Sequence, residues 1–240
     1  MTRLLYALLL SLTCLHGECL HYKARFEKPS EYPERELVPD ALVAWDVDFP
    51  GYNPPYYVSP TVLKQPSWAE PEEVSIHPLN IEGRTGIAGR GLLGKWGPNY
   101  AADPIVTRIN PETDQLELLV ILRKDCQQWA LPGGMVDKGE RVTRTLTREL
   151  QEEAGLALDF SEARIVYQGY VDDPRNTDNA WMETTASHLH LPPEQSAQSA
   201  LTAGDDALSA RWIPINEALE NLYANHSEFV KLALNTNPNK

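Results

Sequence analysis

The sequence predicts an α/β fold: an α/β/α sandwich around a mixed β-sheet, plus a smaller irregular N-terminal domain with short strands. Two observations support this prediction. In the second half of the 240-residue chain, apolar segments of strand length are interspersed with segments of helical character. Elements in this order favour helices packed on both faces of one sheet. By contrast, eleven of the nineteen prolines lie between residues 18 and 100, where long periodic segments are scarce.

The regular elements of the second half follow from apolar runs and the turn residues between them. Residues 141–154 lack proline and glycine, and they predict a helix that Gly155 terminates. Around this helix we expect strands at 105–109, 116–122, 129–131, 164–171, 181–191 and 210–213, and C-terminal helices at 216–223 and 227–234.

The N-terminal domain, residues 18–100, is expected to fold despite its irregular pattern, and residues 101–240 form the second domain. Short strands are predicted at 41–47 and 56–63. The segment carries more aromatic surface than a disordered chain leaves in water. The aromatic residues concerned are Trp45, Tyr52, Tyr56, Tyr57 and Trp68.

Residues 1–17 have the pattern of a signal or targeting peptide. Arg3 precedes an apolar run at 4–12, and no acidic residue occurs before Glu18. The run is too short to cross a bilayer, so we expect no stable membrane span. The pattern is typical of a secretory signal, which predicts the secretory pathway or an extracellular location, with a mitochondrial presequence as the alternative. A glycosylation sequon at Asn225 would be usable only on the secretory route.

The net charge of −13 argues against a nucleic-acid partner, because proteins that bind polyanions usually carry the opposite sign. An acidic protein still binds a small phosphate-bearing molecule where metal ions and local Arg or Lys neutralise it. Cys14 is expected to leave with the leader, while Cys19 and Cys126 either pair or stay free. No Cys/His spacing indicates zinc.

Three glutamates on the predicted helix are the leading candidates for a metal site. Glu149, Glu152 and Glu153 stand at i, i+3 and i+4, so their carboxylates share one helix face. Clustered carboxylates repel one another unless a cation lies between them, and hard oxygen ligands suit Mg²⁺, with Mn²⁺ as an alternative. Arg148 points elsewhere on the helix and is expected to pair with Glu140. A solvated acidic face is the alternative interpretation.

A glycine-rich basic segment, residues 83–108, is a candidate phosphate-binding element. Arg84 and Arg90 lie in it, with Asp103 as its acidic residue. Glycine permits close backbone approach to phosphate, and arginine supplies forked donors. The alternative interpretation is an interdomain connection with solvated basic residues.

Further candidate contacts to a ligand lie in three polar segments. The loop at 172–179 contributes Asp173, Arg175, Asn176 and Asp178, although such a composition is also normal for turns. Asp205 and Asp206 are candidates for a second metal, a ribose hydroxyl or a base, with solvated loop acids as the default. His226 is a candidate ligand contact or a structural histidine.

The segment at 134–156, GMVDKGERVTRTLTRELQEEAGL, resembles the Nudix family signature, and every fixed position is filled. The resemblance extends across most of residues 35–235 to the ADP-ribose pyrophosphatase subfamily, which is related to the sensor domain of an ADP-ribose-gated cation channel. The motifs that carry this resemblance are RTG at 84–86, GRGLLG at 89–94, WGPN at 96–99, AADP at 101–104, RKDC at 123–126, YVDDPRNTDNAWMET at 170–184 and GDDA at 204–207.

The resemblance implies a Nudix fold that hydrolyses ADP-ribose to AMP and ribose 5-phosphate with Mg²⁺. It implies that Glu149, Glu152 and Glu153 hold the metal with the Gly133 carbonyl, that Glu140 holds Arg148, and that Arg84 or Arg90 caps the phosphates. The N-terminal domain would complete the substrate cleft, and the nearest relatives suggest a monomer. Two rival functions stay open: a non-catalytic ADP-ribose-binding module, and a hydrolase of another nucleoside diphosphate derivative.

Overall fold

The computed structural model describes residues 20–196, 200–204, 207–220 and 222–235. The leader, Cys14, Cys19, Asp205 and Asp206 therefore lie outside the described residues. The helices are α1 Tyr22–Phe26, α2 Pro60–Leu63, α3 Val142–Ala154, α4 Pro193–Ser196, α5 Ile215–Ala218 and α6 His226–Asn235. The strands are β1 Tyr56–Val58, β2 Ala88–Gly91, β3 Gly97–Ile109, β4 Leu116–Arg123, β5 Trp129–Ala130, β6 Gly134–Met135, β7 Arg164–Tyr170, β8 Ala180–Leu191 and β9 Ala207–Pro214.

The main sheet has seven strands and is mixed, as predicted. Its central order is β5-β4-β3-β8-β7, with β6 paired to β3 and β9 paired to β4. β3 and β8 run parallel over twelve residue pairs, whereas every other pairing in this sheet is antiparallel. A separate two-stranded sheet joins β1 and β2 in the N-terminal region.

Helices cover both faces of the main sheet, which confirms the α/β/α sandwich. Successive residues of a strand point to opposite faces, so β3 contributes to two cores. Ala102 and Val106 pack in a core with Leu146 and Leu150 of α3. Ala101 and Ile105 belong to a second core that includes Phe229, Val230 and Ala233 of α6.

Helix α3 follows from its sequence. Leu146, Leu150 and Ala154 recur at four-residue intervals and are all buried, which gives the helix one apolar stripe against the sheet. The helix ends where Gly155 takes a left-handed conformation with φ of 72°, and the Gly155 N–H bonds the carbonyls of Gln151 and Leu150. This C-terminal cap confirms the predicted stop.

The N-terminal region departs from the strand predictions. Residues 41–47 form no strand; a 3₁₀ helix at Asp40–Leu42 occupies the start of this segment. The strand predicted at 56–63 ends at Val58, because Ser59 caps α2 by accepting a hydrogen bond from the Val62 N–H and Pro60 opens the helix. At the other end of the chain, the helix predicted from 216 to 223 is the shorter α5. No helix in the described ranges is long and apolar enough to cross a membrane.

Candidate active site

A cavity of about 470 Å³ opens beside the central strands of the main sheet. Its size suits a nucleotide-sized ligand. Its lining includes an acidic wall, with residues from β3 and α3, and a mixed wall of basic, aromatic and acidic residues from three loops. The lining residues are Ala101, Asp103, Arg123, Lys124, Asp125, Leu131, Gly133, Gly134, Met135, Glu149, Glu153, Val171, Asp173, Arg175, Met182, Thr184, Tyr223 and His226.

The acidic wall consists of Asp103, Glu149 and Glu153. All three carboxyl groups are buried, and Glu153 Oε2 accepts a hydrogen bond from the Gly133 N–H at 2.9 Å. Burial raises the pKa of Glu153 to about 8 and also raises the pKa of Glu149. Burial likewise raises the pKa of Asp103 to about 6, although a hydrogen bond from the Thr184 hydroxyl favours the charged form. The wall is therefore strongly unfavourable for three bare negative charges.

Two glycines let the loop approach this acidic wall. Gly133 has φ of 153°, and a Cβ there would collide with the Asp103 carboxylate and lie 2.8 Å from the Ala102 carbonyl oxygen. A Cβ on Gly134 would collide with the Glu149 carboxylate. The absence of a side chain at Gly133 and Gly134 is thus a steric requirement of the site.

Arg148 organises the rim of the acidic wall. Its guanidinium pairs with Glu140 at 3.0 Å, as predicted, and also with Glu149 at 2.6 Å and Glu152 at 3.0 Å. It further donates to the Met135 carbonyl at 3.1 Å. The Arg148 hydrogen bonds lower the pKa of Glu140 to about 2. One side chain thereby fixes the loop strand β6 to the helix α3.

The donor set on this wall fits a hard divalent cation. Glu149, Glu153 and Asp103 line one cavity. A cation bound between their carboxylates would offset the free-energy cost of keeping these buried groups ionised. In the described part of the chain, however, no three His, Cys, Asp or Glu residues already surround a common ion position. Glu152 does not line the cavity and pairs with Arg148 instead. A metal role for Glu152 stays a prediction.

The mixed wall combines the 171–175 loop with the turn that precedes α6. Arg175 forms a two-point ion pair with Asp173, with distances of 2.9 and 2.7 Å. Although burial opposes it, the Arg175 charge holds the pKa of Asp173 below its usual range. The Tyr223 hydroxyl lies 3.1 and 3.2 Å from the two carboxylate oxygens of Asp173. The Arg123 guanidinium lies 4.4 Å from the centre of the Tyr223 ring.

His226 lines the cavity as part of the mixed wall and supports a neighbouring loop. Its Nδ1 accepts a hydrogen bond from the Leu131 N–H at 3.1 Å. Burial, reinforced by the Arg123 charge, lowers the pKa of His226 to about 3, so the ring is neutral at pH 7. His226 thus serves both interpretations made from the sequence: it faces the cavity and it supports the loop ahead of Gly133.

Asn176 and Asp178 do not reach the cavity. Asn176 donates to the Val171 carbonyl at 2.8 Å and accepts from the Met182 N–H at 2.8 Å. Asp178 accepts from the Thr85 N–H, the Thr85 hydroxyl and the Tyr52 hydroxyl, at 2.7, 2.8 and 2.7 Å. Direct ligand contact by these two side chains is therefore corrected to a structural role: they fix the loop and join it to the N-terminal domain.

The predicted phosphate contacts of Arg84 and Arg90 are also corrected, because neither side chain lines the cavity. Arg84 is buried under the ring of Trp45 and donates to the carbonyls of Leu42, Ala44 and Val47. Arg90 is fully buried and pairs with Glu72 at 2.7 Å. Within the described chain, every residue that lines the cavity lies at or beyond position 101.

The sequence arguments missed Arg123, Tyr223 and Thr184 as site residues. Arg123 and Tyr223 come together through a cation–π contact across one hundred residues of chain, which local patterns do not reveal. Thr184 pairs with Ala101 in the register of β3 and β8, and it lies two residues beyond Met182 on the same strand. Alternation along such a strand places Met182 and Thr184 on the same face.

Comparison with known proteins agrees with the family resemblance. Residues 101–233 match the NUDIX domain family, and residues 71–97 match the NUDT9-like N-terminal domain family. The chain is 45% identical to nudix hydrolase 6 of Caenorhabditis elegans, in a match that covers 81% of this chain and 88% of that protein.

Two further relatives bear on the choice between enzyme and binding module. Identity with the mitochondrial ADP-ribose pyrophosphatase of Rattus norvegicus is 41%, in a match that covers 88% of this chain and 77% of the rat protein. Identity with the Nematostella vectensis transient receptor potential cation channel subfamily M member-like 2 is 38% over 265 residues. That match covers 86% of this chain but only 17% of the channel.

Proposed function

The chain belongs to the Nudix family, and we propose that it hydrolyses ADP-ribose to AMP and ribose 5-phosphate in a Mg²⁺-dependent reaction, with Mn²⁺ as an alternative metal. The observation that carries this proposal is the pairing of two walls in one cavity. Buried carboxylates of α3 line the same cavity as Arg175, Tyr223 and His226. The similarity to the rat ADP-ribose pyrophosphatase supports the choice of substrate.

The reaction adds one water to the diphosphate and breaks one P–O bond, so each product carries a phosphate monoester. Glu149 and Glu153 are the residues that would hold the cation, with Asp103 beside them and the Gly133 carbonyl as a further oxygen ligand. A bound Mg²⁺ supplies Lewis-acid neutralisation of the diphosphate charge. Arg148 orients Glu149 through its ion pair, and Glu140 holds Arg148 in place.

The mixed wall would bind the organic part of the substrate. Arg123 and Arg175 provide positive charge near the cavity, and the Tyr223 ring offers an aromatic surface. Asp173 would act by holding the Arg175 guanidinium and the Tyr223 hydroxyl in place at the cavity. Asp205 and Asp206 stay candidate contacts from the sequence. In this proposal the domain at 18–100 supports the loops from behind instead of contacting the substrate.

A non-catalytic ADP-ribose-binding module is the second candidate, because the chain also resembles part of a cation channel. Incubation of the purified protein with ADP-ribose, with and without Mg²⁺, followed by chromatography of the products separates the two. AMP and ribose 5-phosphate that form only with Mg²⁺ support the enzyme. Binding without cleavage supports the module, and turnover of another nucleoside diphosphate derivative in preference to ADP-ribose overturns the substrate assignment.

We propose a mitochondrial location and a monomeric state. The mitochondrial name of the rat relative supports that compartment, which is the alternative to the secretory route predicted from the leader pattern. Import into isolated mitochondria and sedimentation velocity test the two statements.

A further inference from the structure

The short helix α1 contacts the two segments that form the mixed wall: the loop that contains Asp172 and the turn that contains Ala224. The Asp172 carboxylate accepts hydrogen bonds from the Lys23 N–H at 2.9 Å and the Ala24 N–H at 2.8 Å. Asp172 thereby satisfies two donors in the first turn of α1, where the N-cap residue His21 makes no side-chain capping bond to the helix. The next residue of this loop is Asp173, whose side chain faces the cavity.

Lys23 extends from the same helix to the second half of the wall. Its ammonium donates to the Ala224 carbonyl. Ala224 lies in the turn between Tyr223 and His226, which both line the cavity, and it has a positive φ of 48°. A non-glycine residue in this region is strained and persists only when its surroundings hold it. Lys23 thus connects the Asp172 loop to the turn that carries Tyr223 and His226.

The helix is itself anchored on the side away from the cavity. The Arg25 guanidinium is buried and bonds the Asp40 carboxylate at 2.6 Å as well as the Val38 carbonyl. The N-terminal region also holds the loop that follows Asp172, since the Tyr32 hydroxyl donates to the Arg175 carbonyl at 2.8 Å. Arg35 donates to the Pro174 carbonyl at 2.7 Å. The N-terminal region therefore forms a rigid backing for residues 172–176.

We propose that α1 is a positioning element of the substrate cavity and that Lys23 is its positioning residue, which sets the spacing between the 172–175 loop and the 223–226 turn. The kinetic part of this inference rests on the proposed function. Neither α1 nor Lys23 contacts the acidic wall, so Lys23 acts on substrate binding and leaves the chemical step unchanged.

The test compares Lys23→Met with Lys64→Met in the full chain. Methionine retains the aliphatic stem of Lys23 but removes the ammonium, and the exposed Lys64 loses the same charge from the same region without touching the wall. In Lys23→Met we expect KM for ADP-ribose to rise about tenfold, since a charge-assisted hydrogen bond is lost, with kcat within about twofold. Lys23→Arg is expected to restore KM, and Lys64→Met to match wild type.

Hydrogen exchange of backbone amides provides a readout that does not depend on the substrate. In Lys23→Met we expect faster exchange at residues 172–177 and 223–226, with unchanged exchange in α3. An unchanged KM, a fall in kcat that matches the rise in KM, or faster exchange spread over the whole chain overturns the positioning role. If wild type leaves ADP-ribose intact, the proposed function fails, and the exchange pattern alone then decides for or against α1 as a positioning element.

Discussion

Glu153 Oε2 accepts a hydrogen bond from the Gly133 N–H at 2.9 Å, which joins helix α3 to the loop that contains Gly133, twenty residues earlier. This bond favours the charged carboxylate, yet burial outweighs it and raises the pKa of Glu153 to about 8. The helix therefore presents a carboxyl group that is costly to ionise unless a cation joins it.

Gly134→Ala is expected to lower activity while leaving the fold intact. The added Cβ would displace the Glu149 carboxylate, which is the mobile end of a side chain and can move without unfolding the loop. We expect kcat to fall by about tenfold or more, with a thermal midpoint close to wild type. Gly139→Asn is the control, because nothing lies within 4 Å of an added Cβ and asparagine tolerates the φ of 82° at this position better than alanine does. Equal kcat values for the two variants would argue against a role for the position of Glu149.

Arg148→Lys is expected to weaken the site through lost orientation. A lysine ammonium cannot span Glu140, Glu149 and the Met135 carbonyl as the guanidinium does. We expect kcat to fall by about tenfold and the free energy of unfolding to drop by about 1 kcal/mol. Arg144→Lys is the matched control, since the Arg144 side chain is 82% exposed and lies 3.7 Å from Glu140. Steady-state kinetics and urea unfolding measure both effects; a fully active Arg148→Lys enzyme contradicts them.

Arg84→Lys tests the correction made to the predicted phosphate site. The guanidinium bonds three carbonyls and stacks on aromatic rings, so its loss is expected to lower the free energy of unfolding by about 2 kcal/mol. KM for ADP-ribose should stay within about twofold of wild type, because Arg84 lies away from the cavity. A large rise in KM with unchanged stability would restore the phosphate role.

His226 is expected to make the protein acid-sensitive. Its folded-state pKa of about 3 lies below its ordinary value of 6.5. Above pH 6.5 both states are neutral, but between pH 6.5 and 3 the unfolded chain binds a proton that the native His226 does not. The free energy of unfolding therefore decreases as pH falls through this window, by at most about 1.4 kcal/mol per pH unit.

His226→Asn isolates this effect, because asparagine keeps a side-chain acceptor near the Leu131 N–H and does not titrate. Urea unfolding of both proteins between pH 4.5 and 8 gives the two slopes. We expect the variant to show a shallower loss of stability toward acid pH. Parallel curves for the two proteins would show that His226 is not the group responsible.

Local sequence patterns were enough to predict the main sheet, α3 and the pair between Arg148 and Glu140. These features depend on alternation, on four-residue spacing and on contacts within twenty residues of chain. They were also enough to place Glu149 and Glu153, since a helix fixes their relative orientation. The N-terminal domain was less predictable, because its short elements depend on caps such as Ser59 and on tertiary contacts.

The errors in the site arose where partners are distant in sequence. Arg84 looks like a phosphate ligand from its glycine-rich surroundings, but its three carbonyl partners lie 37 to 42 residues earlier. Asp178 looks like a ligand contact from its loop, yet Thr85 and Tyr52 already occupy its oxygens. Glu152 shares the helix spacing of Glu153 but does not line the cavity, and its metal role stays a prediction.

The most direct test of the proposed metal site is the kcat of Glu153→Gln for ADP-ribose at saturating Mg²⁺, with the exposed Glu162→Gln as control. Glutamine preserves shape but removes the charge that would hold the cation. The account predicts a fall in kcat of about 100-fold or more for Glu153→Gln, with thermal stability retained and with Glu162→Gln equal to wild type. A Glu153→Gln protein that turns over ADP-ribose at nearly the wild-type rate would contradict it.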